Sequence, residues 1–337
     1  MNKNYGEILK LDLLKIGYVA GKRIKLLVPP LSATARKGEL IAVIGRNGIG
    51  KSTLLRTIIG LQNSLGGKVL LNNKNISEIS PNEMARVSGY ISTEIVRVSN
   101  MKVIDLVALG RFPHTNWIGK LDQNSLIAIR SALIKTGMES FSDRYVAELS
   151  DGERQRAMIA RVIAQDTEIM VMDEPTAFLD IAGKYEIINL MLNLTREGKT
   201  IIFSTHDFNT ALNQTDKIWL LTGKNLLEGA PEDLMLKGAF DHLFESSIVG
   251  FNSADGSFSF RNQSRGTIWV EGEGMLRNWS EKAVIRAGYA IPEIRSSPYI
   301  KTPSDTNNKW ELVNDDLTKE FSSLYELVAW LRHISAG

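Results

Sequence analysis

Apolar residues recur along this chain with two different periods. Residues 7–44 alternate short apolar stretches with charged ones, as in Ile24-Lys25-Leu26-Leu27-Val28 before Pro29-Pro30, a pattern that predicts antiparallel strands. They lead into Leu40-Ile41-Ala42-Val43-Ile44, an unbroken apolar run of the kind a strand buried on both faces carries. Two further runs, residues 169–172 and 200–204, have the same character. Residues 52–59 read as a helix closed by Gly60, and residues 68–76 as a hairpin turning at Asn72-Asn73. Ser80-Pro81-Asn82-Glu83 opens a short helix with a capping box and proline in its first turn.

From about residue 91 to 150 the spacing turns helical, which predicts a helical insertion. Within it, residues 110–117 mix aromatic, basic and helix-breaking types and read either as an exposed contact loop or as a plain helix connection. A second capping box, Ser150 with Glu153, starts a helix whose Met158, Ile159, Val162 and Ile163 share a face. A turn at residues 177–180 then enters a helix over 185–194. Beyond residue 256 the pattern predicts a strand over 267–270, a capped helix over 280–287 ended by Gly288, and a strand over 309–313. A last amphipathic helix over 321–333 carries Phe321, Leu324, Tyr325, Val328 and Leu331 on one side. The expected division is an α/β domain at 1–255 and a small α+β appendage at 256–337.

Candidate chemistry gathers where apolar runs end. Residues 45–53, GRNGIGKST, fill the pattern GxxxxGK[ST] between the first buried strand and a helix. Gly45, Gly48 and Gly50 let backbone N–H groups converge on phosphate oxygens, with Arg46, Asn47 and Ile49 between them. Lys51 reaches the β- and γ-phosphates, the Ser52 hydroxyl is placed for Mg²⁺, and Thr53 follows on the helix. Ser150 and Gly152 open a second helix that seeks an anion. Asp173 and Glu174 end the run 169–172, where uncompensated charge is costly, so something cationic belongs beside them. Mg²⁺ held indirectly by Asp173, with Glu174 deprotonating water, fits phosphoryl transfer. His206 emerges after the run 200–204, where parallel sheets place ligand groups. Tyr18 reads from its spacing as a strand aromatic, with a platform for an adenine ring as the alternative.

Composition narrows the class. The 337 residues are 43% apolar and 23% charged, ordinary for a globular chain with room for two domains. Forty basic against thirty-eight acidic residues leave a net +2, too little for a general nucleic-acid binder. Ten basic and ten acidic residues balance in the appendage as well. The absence of cysteine excludes disulfides and thiolate chemistry and fits a reducing compartment. No apolar run is long enough to span a membrane, and the first residues lack the core of a secretion signal.

In this order, the phosphate loop, the helical insertion, LSDGE at 149–153, Asp173-Glu174, the turn at Asp180 and His206 resemble the ATP-binding subunit of ABC transporters, over about residues 5–250. Residues 106–117, LVALGRFPHTNW, resemble the branch that serves importers of iron chelates, heme and cobalamin. The resemblance implies a P-loop NTPase fold of the ABC type, with an antiparallel β subdomain and a helical insertion, and an ATPase using ATP and Mg²⁺. It implies that Tyr18 stacks on adenine, that residues 45–53 hold the phosphates and that Asp173 sits by Mg²⁺ with Ser52. Glu174 is then the catalytic base and His206 the γ-phosphate contact. Ser150 and Gly152 act across a homodimer interface on the partner's nucleotide, and Asp180 couples the two sites. The implied partners are an integral membrane permease and, indirectly, an extracellular substrate-binding protein, with the subunit peripheral on the cytoplasmic face. Thr93 stands where the family has a glutamine that touches Mg²⁺ and water, and Asp151 where it has a glycine. Both departures bear on hydrolysis rate and leave open a weakly hydrolysing nucleotide-dependent regulator. A soluble ABC-type ATPase acting on DNA or ribosomes is the remaining alternative, although the chain has neither heptads nor an internal repeat.

Overall fold

The computed structural model describes residues 6–21, 23–93, 100–115, 120–241, 249–252, 256–260, 264–304, 308–315 and 317–333. The chain divides into two compact units, one of residues 1–246 with 251–257 and one of 247–250 with 258–337.

The unbroken apolar runs become the centre of the first unit. Leu40–Gly45 lies in a six-stranded sheet between Thr200–Ser204 and Lys217–Leu221, with Ile169–Met172 and then Ser88–Ile91 beyond Thr200–Ser204. These five strands run parallel, and Leu226–Gly229 closes one edge antiparallel to Lys217–Leu221. Because side chains alternate along a strand, one strand serves two cores. Ile41 and Val43 pack with Leu54, Leu55 and Ile58 of helix Lys51–Ile58 and with Leu9, Leu11 and Val69. Leu40, Ala42 and Ile44 pack on the other side with Ile159, Ile187 and Met191. Each fully buried aliphatic side chain contributes about 1.5–3 kcal/mol. Leu9, Leu11 and Val69 belong to an antiparallel sheet ordered Leu31–Arg36, Glu7–Lys15, Gly66–Leu71, Lys74–Asn75.

Local chemistry sets the connections. Asn72 and Asn73 take φ of 48° and 65°, the left-handed pair a two-residue hairpin turn needs. Ser80 and Glu83 form the expected capping box. The phosphate-loop helix begins at Lys51, one residue before the sequence expectation, and Gly60 follows its end at φ 74°. The insertion contains helices Val103–Ala108 and Gln123–Lys135. Residues 110–114 are not a simple exposed loop, since they belong to the 3-10 helix Leu109–His114, and Gly110 and Arg111 are buried. Arg111 Nη1 donates to the Ala164 carbonyl at 2.8 Å, while Phe112 remains 73% exposed. Trp117 lies outside the described residues. In the same unit Phe240 meets Phe208 edge-on at 6.1 Å and Phe251 at 5.9 Å between ring centroids.

The second unit has a four-stranded sheet, Trp269–Glu271, Tyr299–Lys301, Trp310–Asn314 and Leu317–Phe321 in that order. Its core joins Val270, Ile300, Leu312 and Phe321 to Ala283, Val284, Leu327, Val328 and Leu331 of helices Gly274–Arg286 and Leu324–His333. Three expectations are corrected here. The first helix starts at Gly274, so Ser280 is not a cap but a buried mid-helix residue whose hydroxyl accepts from Trp310 Nε1 at 2.9 Å. Phe321 ends a strand instead of opening the last helix. Tyr325 is 81% exposed, because the buried stripe of that helix runs through Leu327, Val328 and Leu331.

Candidate functional site

Parallel packing brings three carboxyl-terminal strand ends side by side, those of Leu40–Gly45, Thr200–Ser204 and Ile169–Met172. The phosphate-loop pattern, His206 and the acid pair Asp173-Glu174 follow these three ends. This is the edge of a parallel sheet at which ligands bind. Gly45 admits no side chain, since a Cβ would fall 2.8 Å from the Leu221 carbonyl oxygen. Gly48 and Gly50 take φ of 76° and 113°, a backbone that only glycine adopts freely. Arg46, Asn47 and Gly48 are exposed, and Ile49 and Ser52 are half-buried. No side chain caps the helix at Gly50, so its N-terminal N–H groups face the loop's concavity.

Lys51 is only 6% exposed and folds back over the loop, its Nζ donating to the carbonyls of Gly45 at 3.0 Å and Arg46 at 3.4 Å. Burial pushes its ammonium below the ordinary lysine value, against the carboxylates of Glu174 and Asp173, which favour the charge. Here is the cation that the two acids required. Tyr18, half-exposed on strand Gly17–Ala20, bonds through its hydroxyl to Thr53 Oγ1 at 2.7 Å, so the aromatic stands at the loop.

Asp173 is 2% exposed, and its Oδ1 accepts from Ser204 Oγ at 2.6 Å. The same Ser204 oxygen accepts the Glu174 N–H at 2.9 Å. Glu174 has φ of 49°, uncommon for a residue with a side chain, and its Oε1 accepts from His206 Nε2 at 2.7 Å. The oxygens of Ser52 and Asp173 are hard donors of the kind Mg²⁺ prefers. Among the described residues no cluster of three or more carboxylate, imidazole or thiolate ligands exists. Two protein oxygens completed by water and phosphate therefore fit Mg²⁺ better than a closed protein cage does.

Ser150 caps helix Asp151–Ala164, but its hydroxyl is not free. It donates to Glu153 Oε2 at 2.8 Å and accepts the Glu153 N–H at 3.3 Å. The Ser150 backbone N–H and hydroxyl together hold the Glu153 carboxyl below the usual carboxylate range. Asp151 pairs with Arg154 at 2.7 Å, and Arg154 also donates to the Leu149 carbonyl at 2.8 Å. Gly152 faces Leu179, and Asp180 caps helix Ile181–Arg196 by accepting from the Gly183 N–H at 2.8 Å. Thr93 is half-buried just past strand Ser88–Ile91. Within one copy of the chain, no hydrogen bond described here joins Ser150, Gly152 or Asp180 to residues 45–53. Ser204 is the site residue that the sequence reading missed. Its only signal was a hydroxyl ending an apolar run.

Fold and site together define a phosphate-loop nucleoside triphosphatase. The family model described as ABC transporter matches residues 28–177, and the one described as iron ABC transporter C-terminal domain matches residues 265–332. An ABC transporter ATP-binding protein of Methanocaldococcus jannaschii is 34% identical over 257 residues, which span 76% of this chain and 87% of that one. The iron(3+)-hydroxamate import ATP-binding protein of Bacillus subtilis is 36% identical over 239 residues, 70% of this chain and 87% of that one. The dimeric structure of a bacterial ABC transporter cassette superposes with a TM-score of 0.59 at 25% identity, covering 66% of this chain and 99% of that one. The chain belongs to the ATP-binding proteins of the ABC transporter family. The second match corrects the expectation that the family likeness covers only about residues 5–250.

Proposed function

We propose that this chain is the ATPase subunit of an importer for an iron-siderophore, heme or cobalamin-like chelate. It would work as a homodimer on the cytoplasmic face of a membrane permease, which receives cargo from an extracellular binding protein. The observation that carries the ATPase reading is the juxtaposition of a buried Lys51 with Asp173 and Glu174 beside a glycine-lined loop. The cargo class is supported by the likeness to a hydroxamate importer subunit and by the iron-transporter match in the second unit. No helix among the described residues is long and apolar enough to cross a membrane, which suits a subunit that borrows its membrane path from a partner.

In this reading residues 45–53 bind the triphosphate through backbone N–H groups, Lys51 neutralises the terminal phosphates, and Tyr18 stacks on the base. Ser52 and Asp173 would hold Mg²⁺, which when bound would supply charge to balance the phosphate oxygens. Glu174 takes a proton from the attacking water through its carboxylate, and His206, bonded to that carboxylate, orients it and reaches the γ-phosphate. Ser150 and Gly152 close the partner's site, and Asp180 links the two sites. Asp151 pairs with Arg154, which offsets the charge it would turn toward that phosphate and weighs against a merely regulatory protein. Residues 1–255 form the catalytic domain and 256–337 a regulatory or dimer-bracing one.

The test is hydrolysis by the chain assembled with its permease. Lys51→Ala is expected to weaken ATP binding by about 30-fold or more, the size of losing a buried charged partner. Glu174→Gln is expected to lower kcat about 10²–10⁴-fold while trapping an ATP-bound dimer, seen by size exclusion. Parent-like hydrolysis by Glu174→Gln removes the base assignment, and failure to recover a multi-span membrane protein with the chain removes the transport reading.

A further inference from the structure

Ser204 ends a strand between the phosphate-loop strand and the strand that carries the two acids, and it is fully buried. A serine hydroxyl has one proton to give and lone pairs to receive with. The proton goes to Asp173 Oδ1 at 2.6 Å, the short distance of a bond to a charged acceptor, and a lone pair takes the Glu174 N–H at 2.9 Å. Asp173 Oδ2 has no hydrogen-bond partner among the described residues, so the contact with Ser204 commits one carboxylate oxygen and leaves the other available. Glu174 has a left-handed backbone that costs a residue with a side chain about 1–2 kcal/mol. Its tethered N–H and the turn closed by Ala177 N–H on the Glu174 carbonyl at 3.0 Å offset that cost. One hydroxyl therefore fixes the rotation of the Mg²⁺-side carboxylate and the backbone of the water-activating residue at once.

We propose that Ser204 is a positioning residue for hydrolysis, setting Asp173 and Glu174 in register with each other across the strand gap. The inference rests on the ATPase reading above. Parent, Ser204→Ala, Ser204→Thr, Asp173→Asn and the Ser204→Ala/Asp173→Asn double variant are compared by steady-state ATPase with the permease. Binding of a fluorescent ADP analogue is measured with Mg²⁺ and in EDTA. Ser204→Ala is expected to lower kcat about 10- to 100-fold, the scale of one lost preorganising hydrogen bond, with KM changed less than about threefold. The affinity that Mg²⁺ adds should shrink, while affinity in EDTA stays that of the parent. Ser204→Thr, which keeps the hydroxyl, should recover most of kcat, and in the Asp173→Asn background Ser204→Ala should add less than about threefold.

A Ser204→Ala kcat within about threefold of the parent overturns the proposal. So does an equal loss of affinity in EDTA, which marks a collapsed site, or full additivity in the double variant. If Ser204→Ala does not fold, Ser204→Cys decides. A thiol is a weak donor, so a Cys variant about tenfold slower than Thr supports positioning, and one matching the parent overturns it. A parent that hydrolyses no ATP sinks the functional reading itself, whereas an active parent with an equally active Ser204→Ala sinks this inference alone.

Discussion

A single capping box closes the start of helix Asp151–Ala164. Glu153 accepts from both the backbone and the hydroxyl of Ser150, and its depressed pKa ties stability to pH. A carboxyl whose folded value lies below a glutamate's ordinary 4.5 adds stability that is complete above that value and disappears as pH falls through the depressed one. Glu153→Gln keeps an acceptor for Ser150 but cannot titrate. Its thermal stability should therefore fall less steeply below about pH 5 than the parent's, and superimposable melting-versus-pH curves would refute the linkage. At this scale the sequence was most informative where chemistry demands a residue type at fixed spacing. Residues 45–53, the capping boxes and Asp173-Glu174 were all readable because each pattern is local. Ser204 was not, because its meaning lies in an acid pair thirty residues away in sequence and one strand away in space.

The elements divide in the same way between what is local and what is not. The apolar runs announced the parallel strands, and the helical spacing announced the insertion. The segment around Gly110 admits two readings in sequence, because aromatic and basic residues suggest exposure while the deciding contact is a glycine against a distant helix. A Cβ on Gly110 would fall 2.0 Å from the Arg161 carbonyl oxygen, a backbone atom on helix Asp151–Ala164. Gly110→Ala is thus expected to destabilise the first unit by about 1–3 kcal/mol, the range for forced overpacking, measured by denaturant unfolding. An unchanged midpoint would mean that the 3-10 helix moves aside freely. In the second unit, Ser280 looks like a cap in sequence, yet Trp310 claims its hydroxyl. Ser280→Ala should cost that unit about 0.5–1.5 kcal/mol, the net worth of one hydrogen bond, measured by denaturant unfolding. Strand Leu317–Phe321 escaped notice since four of its five residues are exposed and offer no apolar alternation.

For the whole molecule, residues 265–332 of the second unit match a family model of their own, described as iron ABC transporter C-terminal domain. Removal of residues 258–337 is expected to weaken the ATP-dependent dimer of the Glu174→Gln variant, read as a higher dissociation constant by analytical ultracentrifugation. Equal constants and equal permease-coupled hydrolysis would leave that unit without a role in dimerisation or turnover. Where the cut falls matters. The first unit does not end at residue 246, for the polypeptide comes back to it at 251–257 and sets Phe251 on Phe240. A gene shortened to the earlier point would encode a protein with an aromatic vacancy at its margin, and its poor yield would be misread as dependence on the missing tail. Shortening after residue 257 keeps that ring in place and makes the comparison fair.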